Sequence, residues 1–405
     1  MFAAAFYDRA LGEEEVAAIA GDPSKYVPES QLVKWLSSEQ LKTRGSLQKE
    51  IAELDSKRRE LIGKGNQKVY SLKSGSGAVT KVFLRGDPDN VGDTVSPGAV
   101  GIVPGVTADF KLAPNAPEKE RRKSLAKWVT SRSNPLFSRV VVNRIWHYHF
   151  GNGIVDTPND FGFNGGRPTH PELLDWLAGY LQRNDFRLKS LHRLMVTSAA
   201  YRQKSFSAKS VYADGRKPSD IDAANRLLWR MNPRRLEAEA IRDAMLSVSG
   251  RLDKKMGGPS FEDVRTVSNN GTNYYFPIED VKAEFCRRTV YRFNPRGGRS
   301  ALLDTFDCPD PAATTPRRAV TTTPLQALSL LNNSFVLQMS EDFAKRVVRE
   351  AGDDVANQVE KAWALSIGRK PSAKETKLAI QFVKEHGMPA LARALFNINE
   401  FVAIE

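Results

Sequence analysis

The stretch Asn143–Leu177 constrains this chain more than any other. It reads Asn143-Arg144-Ile145-Trp146, then Phe150-Gly151-Asn152-Gly153, then Asp160-Phe161-Gly162, then Thr169-His170-Pro171-Glu172-Leu173-Leu174-Asp175-Trp176-Leu177. A helix end, a Gly/Asp/Asn loop and a helix start follow one another. Such a loop costs backbone entropy and exists to place something. Thr169 and Glu172 have capping-box spacing, and Pro171 suits the first helical turn. Leu173, Leu174, Trp176, Leu177, Tyr180 and Leu181 then form one apolar face. The block also holds three of the five histidines and two of the six tryptophans.

A chain of 405 residues exceeds one ordinary core, so two or three units are expected. Hydrophobic residues make up 41% and charged residues 26%, and no stretch approaches the roughly 20 apolar residues of a membrane span. The net charge of +13 favours anionic partners: nucleic acid, acidic glycan or phosphate. A solvated Lys/Arg-rich surface is the plainer explanation. Cys286 and Cys308 give no disulfide framework and no zinc spacing; they suit one bridge or two free thiols.

The first residues, Met1-Phe2-Ala3-Ala4-Ala5, lack the basic start of a signal peptide. Phe2–Tyr7 reads as a strand and Asp8–Val16 as a turn into a helix. A lone terminal strand has no sheet to pair with, so residues 1–28 read as the end of a truncated domain, and they resemble the C-terminal edge of a jelly roll. Residues 29–63 read as a charged helical spacer with Leu47, Ile51, Leu54 and Leu61 on one stripe. It serves either as a short coiled coil or as a helix packed on its own domain; barely two heptads fit, which favours the second. Residues 64–117 form a small β segment and linker, with strands at Val69–Leu72 and Val79–Leu84. Turn clusters follow at Leu84–Asn90 and Val95–Gly98.

Residues 118–405 are mainly helical. Asn134-Pro135 opens a helix over Leu136–Phe150. Further helices are expected over Leu188–Tyr201 and Leu236–Val248, with Gly250 as a stop. The stretch 251–322 is irregular and holds Asn269-Asn270-Gly271 and an arginine run. Thr323 and Gln326 have capping-box spacing, and helix continues to about Val348. Val359–Ile367 and Ala373–His386 follow, with a helix-like tail. The fold class is therefore mainly α: a multi-helix C-terminal domain with long irregular loops, preceded by a helical spacer and a small β segment.

Several motifs in one order point to a family. They are Asn134-Pro135-Leu136, Val142–Trp146, the Phe150-Gly151 loop, Asp160-Phe161-Gly162, Pro168–Asp175, Ser198–Gln203, Pro233–Glu239 and Thr322–Leu328. Residues 118–405 thereby resemble the planctomycete C-terminal domain of unknown function numbered 1553. Residues 1–28 resemble the edge of a laminin-G/concanavalin-like domain. The resemblance implies an exported protein whose upstream part carries a cytochrome c module, and hence an extracytoplasmic location. This chain has no Cys-x-x-Cys-His, so any haem c would sit in those upstream domains. The family supplies no catalytic residues to carry over.

Three constellations carry chemistry. His147 and His149 with His170, Asp156 and Asp160 are metal-ligand types. Residues i and i+2 of a helix point apart, however, so no metal is assigned. His170, Asp160 and Asp156 are candidate catalytic groups, with Glu172 and Asp175 as further carboxylates for glycoside cleavage. Asn143, Arg144 and Trp146 are candidate ligand-binding residues. So are Arg287, Arg288, Arg292, Arg296 and Arg299, which could grip phosphate, sulfate or carboxylate. Their plainer use is ion pairing with Asp304, Asp307 and Asp310.

The sequence therefore predicts an extracytoplasmic accessory module. It would bind a glycan or other anionic polymer, or dock with cytochrome-bearing domains of its own protein. The Asn143–Asp175 region and the 287–299 run would line one surface. The alternative is a hydrolase or redox enzyme acting on polysaccharide. Nucleic-acid binding ranks last, because no nucleic-acid fold signature is present.

Overall fold

Short polar side chains decide where the helices begin. The computed structural model describes residues 33–65, 71, 73–205, 211 and 214–404. The strand expected at Phe2–Tyr7, the jelly-roll edge over 1–28 and most of the strand at Val69–Leu72 lie outside them. The chain divides into two units, residues 1–72 and 73–405.

In the first unit, Ser37 and Gln40 cap each other's backbone amides at 3.2 and 2.9 Å, and helix α1 runs from Ser38 to Gly65. Leu47, Ile51, Leu54 and Leu61 are between 51% and 67% exposed. The stripe is present, but it is not buried as it would be in a helix packed on its own domain.

The second unit opens with an antiparallel hairpin, β1 (Thr80–Phe83) and β2 (Val91–Val95), turning through Arg85 at φ 56°. Helix α2 (Glu118–Val129) follows. Asn134 then accepts the Leu136 amide at 3.0 Å and starts α3 (Pro135–Phe150). With α4 (Pro171–Arg183) and α5 (Leu188–Thr197), α3 encloses a first core built on Val142, Phe150, Leu181 and Leu191. A single turn, α6 (Pro218–Ile221), leads towards the second core.

That second core centres on α7 (Ala238–Val248). Around it lie α8 (Ala301–Thr305), α9 (Pro324–Asn332), α10 (Ser334–Ala351), α11 (Val355–Ser366), α12 (Ala373–His386) and α13 (Met388–Phe396). Ile241, Met245, Met339, Phe343 and Phe396 are among its fully buried members. Each such side chain contributes about 1.5–3 kcal/mol by leaving water. Gly250 stops α7 at φ 80°, and Thr323 and Gln326 form the predicted capping box.

Some local readings change. The stretch 251–322 is not wholly irregular: β4 (Val264–Asn269) and β5 (Thr272–Pro277) pair around Asn270-Gly271, both at positive φ. The helix expected from Thr323 to Val348 breaks at Asn333, whose side chain accepts the Phe335 amide and starts a new helix. The tail forms a short helix, α14 (Asn399–Val402), and then a strand, β6 (Ala403–Ile404). That strand pairs antiparallel with β3 (Arg234–Arg235), and the Leu236 amide donates to Val402 O at 2.7 Å. Fourteen α-helices against three two-stranded sheets among the described residues make the fold mainly α.

Candidate functional site

The loop after α3 is held from inside. Asn143 is fully buried; its Nδ2 donates to Val155 O at 2.9 Å, and its Oδ1 accepts the Val155 amide at 2.8 Å. Arg144 donates to Asn159 Oδ1 at 2.7 Å, on the loop's outer side. Trp146 stacks on Phe150 in the first core, with centroids 4.0 Å apart. Glycine is required where backbones close up: a Cβ on Gly153 would overlap Val155 O, and one on Gly166 would overlap the Asp156 carboxylate. Asp160 turns back on its own loop, accepting the Gly162 amide at 2.8 Å.

The start of α4 differs from its sequence reading. His170, not Thr169, occupies the N-cap position, and Pro171 lies in the first turn as predicted. The Thr169 hydroxyl meets His170 Nδ1 at 2.9 Å and Ile154 O at 3.4 Å. Trp146, Asp156 and His170 line one pocket of 220 Å³; Asp160 does not line it. His147 and His149 diverge. His149 Nε2 lies 2.8 Å from His192 Nδ1, whereas His147 faces a groove on another side. Among the described residues no three His, Cys, Asp or Glu side chains converge as a metal-binding group.

The arginine run is used unevenly. Arg287 is buried and donates to the carbonyls of Pro259, Gly257 and Lys255 at 2.8, 2.6 and 3.2 Å. Its guanidinium lies 4.1 Å from the Tyr291 ring centroid. Arg292 pairs with Asp263 at 2.8 Å, and Arg288 approaches Asp243 at 3.9 Å. Arg299 reaches Asp304 at 3.9 Å, and with Arg292 and Arg296 it lines a 110 Å³ pocket away from the loop.

A larger groove, 660 Å³, lies between the two cores. Such boundaries are favoured positions for ligand sites. Two Pro-Arg-Arg tripeptides, Pro233-Arg234-Arg235 and Pro316-Arg317-Arg318, bring all four arginines to its wall. The second arginine of each is neutralised. Arg235 pairs with Asp307 at 2.5 Å, and Arg318 with Glu239 at 2.6 Å and Glu237 at 3.6 Å. The first arginine of each is not. Arg234 donates to Tyr148 O, and Arg317 has no hydrogen bond or ion pair among the described residues. Arg230 adds a third guanidinium without a carboxylate, held by the carbonyls of Ser205 and Met231.

The titrating groups register this imbalance. Burial first, and then the charges of Arg317 and Arg234, hold His147 below the ordinary imidazole pKa. Burial alone would raise the pKa of Asp307, but hydrogen bonds from the Thr321 amide and Arg235 overcome it and hold the carboxyl below the usual range. The Glu239 carboxyl is likewise held low by Arg318 against its burial. The groove thus keeps its two structural carboxylates ionised and still presents excess positive charge. It can receive an anion without first breaking an ion pair.

The sequence reading missed this site. Its signal was available in the repeated Pro-Arg-Arg tripeptide, but the two copies lie far apart and only the fold joins them. No described helix is long and apolar enough to cross a membrane, and both cysteines are free. No curated protein and no solved structure matches the chain. A family model described as PSD1, protein of unknown function (DUF1553), matches residues 121–383, which takes in the first core, much of the second, the loop and the groove; the chain belongs to that family.

Proposed function

We propose that this domain is an accessory module that binds an anionic polymer along the groove between its two cores. The observation that carries this reading is the convergence of Arg234 and Arg317, neither of which faces a carboxylate partner. Guanidinium forks suit phosphate, sulfate and carboxylate. A groove rather than a closed cavity suits a chain that enters and leaves. The module works outside the cytoplasm, where acidic glycans supply such chains; that location and ligand rest on the family resemblance. A cytochrome-bearing domain of the same protein, holding haem c upstream of this chain, is the competing occupant.

The test is retention on heparin against retention on DNA over a salt gradient. Charge-assisted bonds contribute about 1.5–3 kcal/mol each, less where exposed as at Arg317. Arg234→Ala with Arg317→Ala therefore weakens heparin binding roughly 100-fold, about 2.7 kcal/mol. Unchanged retention in the double variant defeats the reading. Stronger salt-resistant retention on DNA than on heparin replaces it with nucleic-acid binding.

A further inference from the structure

Beside the groove lies the 220 Å³ pocket, and the two share Asn152, Asn232 and Arg317 in their linings. The pocket differs from the groove in kind. Its wall combines the aromatic Trp146 with the polar Asn152, Asp156 and His170. The Asp156 carboxylate lies over Gly166, in the space that a Cβ there would take. That carboxylate has no hydrogen-bond or ion-pair partner among the described residues, although Arg226 and Arg317 line the same pocket. His170 engages one ring nitrogen with Thr169 and leaves the other open. The pocket is smaller than the roughly 300–1,000 Å³ of sites for drug-sized ligands and takes one ring rather than a long segment.

We infer that this pocket is a sugar-ring subsite, and that the polymer in the groove is an acidic polysaccharide bearing carboxylate or sulfate on some of its rings. The inference rests on the groove reading and narrows it. An unpaired carboxylate repels a ligand with an anion on every unit, such as polyphosphate, and accepts hydrogen bonds from ring hydroxyls. Arg317, common to both linings, receives the anionic substituent of the ring that the pocket holds. Hydroxyls bonded by Asp156 and His170 then set which ring is accepted, because a polar group left unpaired there on binding the wrong unit is costly.

The test compares two probes on the purified chain by calorimetric titration: a hyaluronan oligosaccharide, which carries a carboxylate on every second ring, and inorganic polyphosphate of matched length. Asp156→Asn and His170→Gln, both close in size to the native side chain, each weaken binding of the hyaluronan oligosaccharide roughly tenfold. Neither variant weakens polyphosphate binding. Arg317→Ala weakens both probes. Equal effects of Asp156→Asn and His170→Gln on the two probes, or no effect on either, overturn the subsite while leaving the groove standing. Failure of Arg234→Ala with Arg317→Ala to weaken either probe overturns the groove itself. An unchanged melting transition for each variant excludes misfolding as the cause.

Discussion

Arginine is concentrated in two places in this chain, and the denser place is the less available. The run from Arg287 to Arg299 holds five arginines. Its best-buried members are fixed to the backbone carbonyls of Lys255, Gly257 and Pro259 and to Asp263, and so tie the stretch 255–263 to the arginine run. The two Pro-Arg-Arg tripeptides hold four, and in each the second arginine anchors while the first stays open to the groove. Density along the sequence therefore says little about charge available to a ligand. What matters is whether a carboxylate or a carbonyl already occupies the guanidinium.

Three measurements can break or sharpen that contrast. The largest effect belongs to Arg287. Removing its guanidinium leaves three carbonyls without their donor, so Arg287→Ala lowers the unfolding free energy in urea by about 3 kcal/mol, while the folded fraction binds heparin as before. Lost binding with unchanged stability would reverse the roles of the two regions. A smaller effect concerns the titration of His147. Its folded pKa lies below the unfolded value of about 6.5, so its contribution to stability is complete above that pH and is lost as pH falls through the folded pKa. A bound anion offsets the repulsion from Arg317 and Arg234 and favours the charged imidazole, so heparin binding tightens as falling pH protonates His147. His147→Ala flattens that profile; an identical profile would place the polymer elsewhere. The smallest effect is at Arg296 and Arg299, whose combined replacement by alanine shifts heparin affinity by about twofold at most. A loss comparable to that of the Arg234, Arg317 pair would erase the distinction.

Local rules read the helices better than they read the site. Asn134-Pro135, the Thr323–Gln326 box and Gly250 act within one helical turn, so the sequence reveals them directly. Asn270-Gly271 carried an equally direct hairpin signal that was absorbed into an irregular stretch. Thr169 and Glu172 had the right spacing, yet His170 takes the cap because the Thr169 hydroxyl is drawn to Ile154 O and the imidazole. In the candidate block, Asn143 and Asp160 proved to hold the loop, and Asp156 and His170 share a pocket. The groove was least legible of all. Its walls come from Tyr148, from Arg234 and from Arg317, and beyond the repeated Pro-Arg-Arg tripeptide nothing in the sequence links segments so distant.

The pairing of Arg234–Arg235 with Ala403–Ile404 gives this domain an order of assembly. The first core is built from neighbouring helices and can form early, since local contacts close quickly. The backbone that aims Arg234 is different. It waits for a partner strand that arrives only after every helix from α7 to α14 has been made, across a loop whose closure is slow. The anion-binding wall is therefore set together with the last helices of the second core, after the first core, whose buried residues run from Val142 to Met195, has had the chance to close.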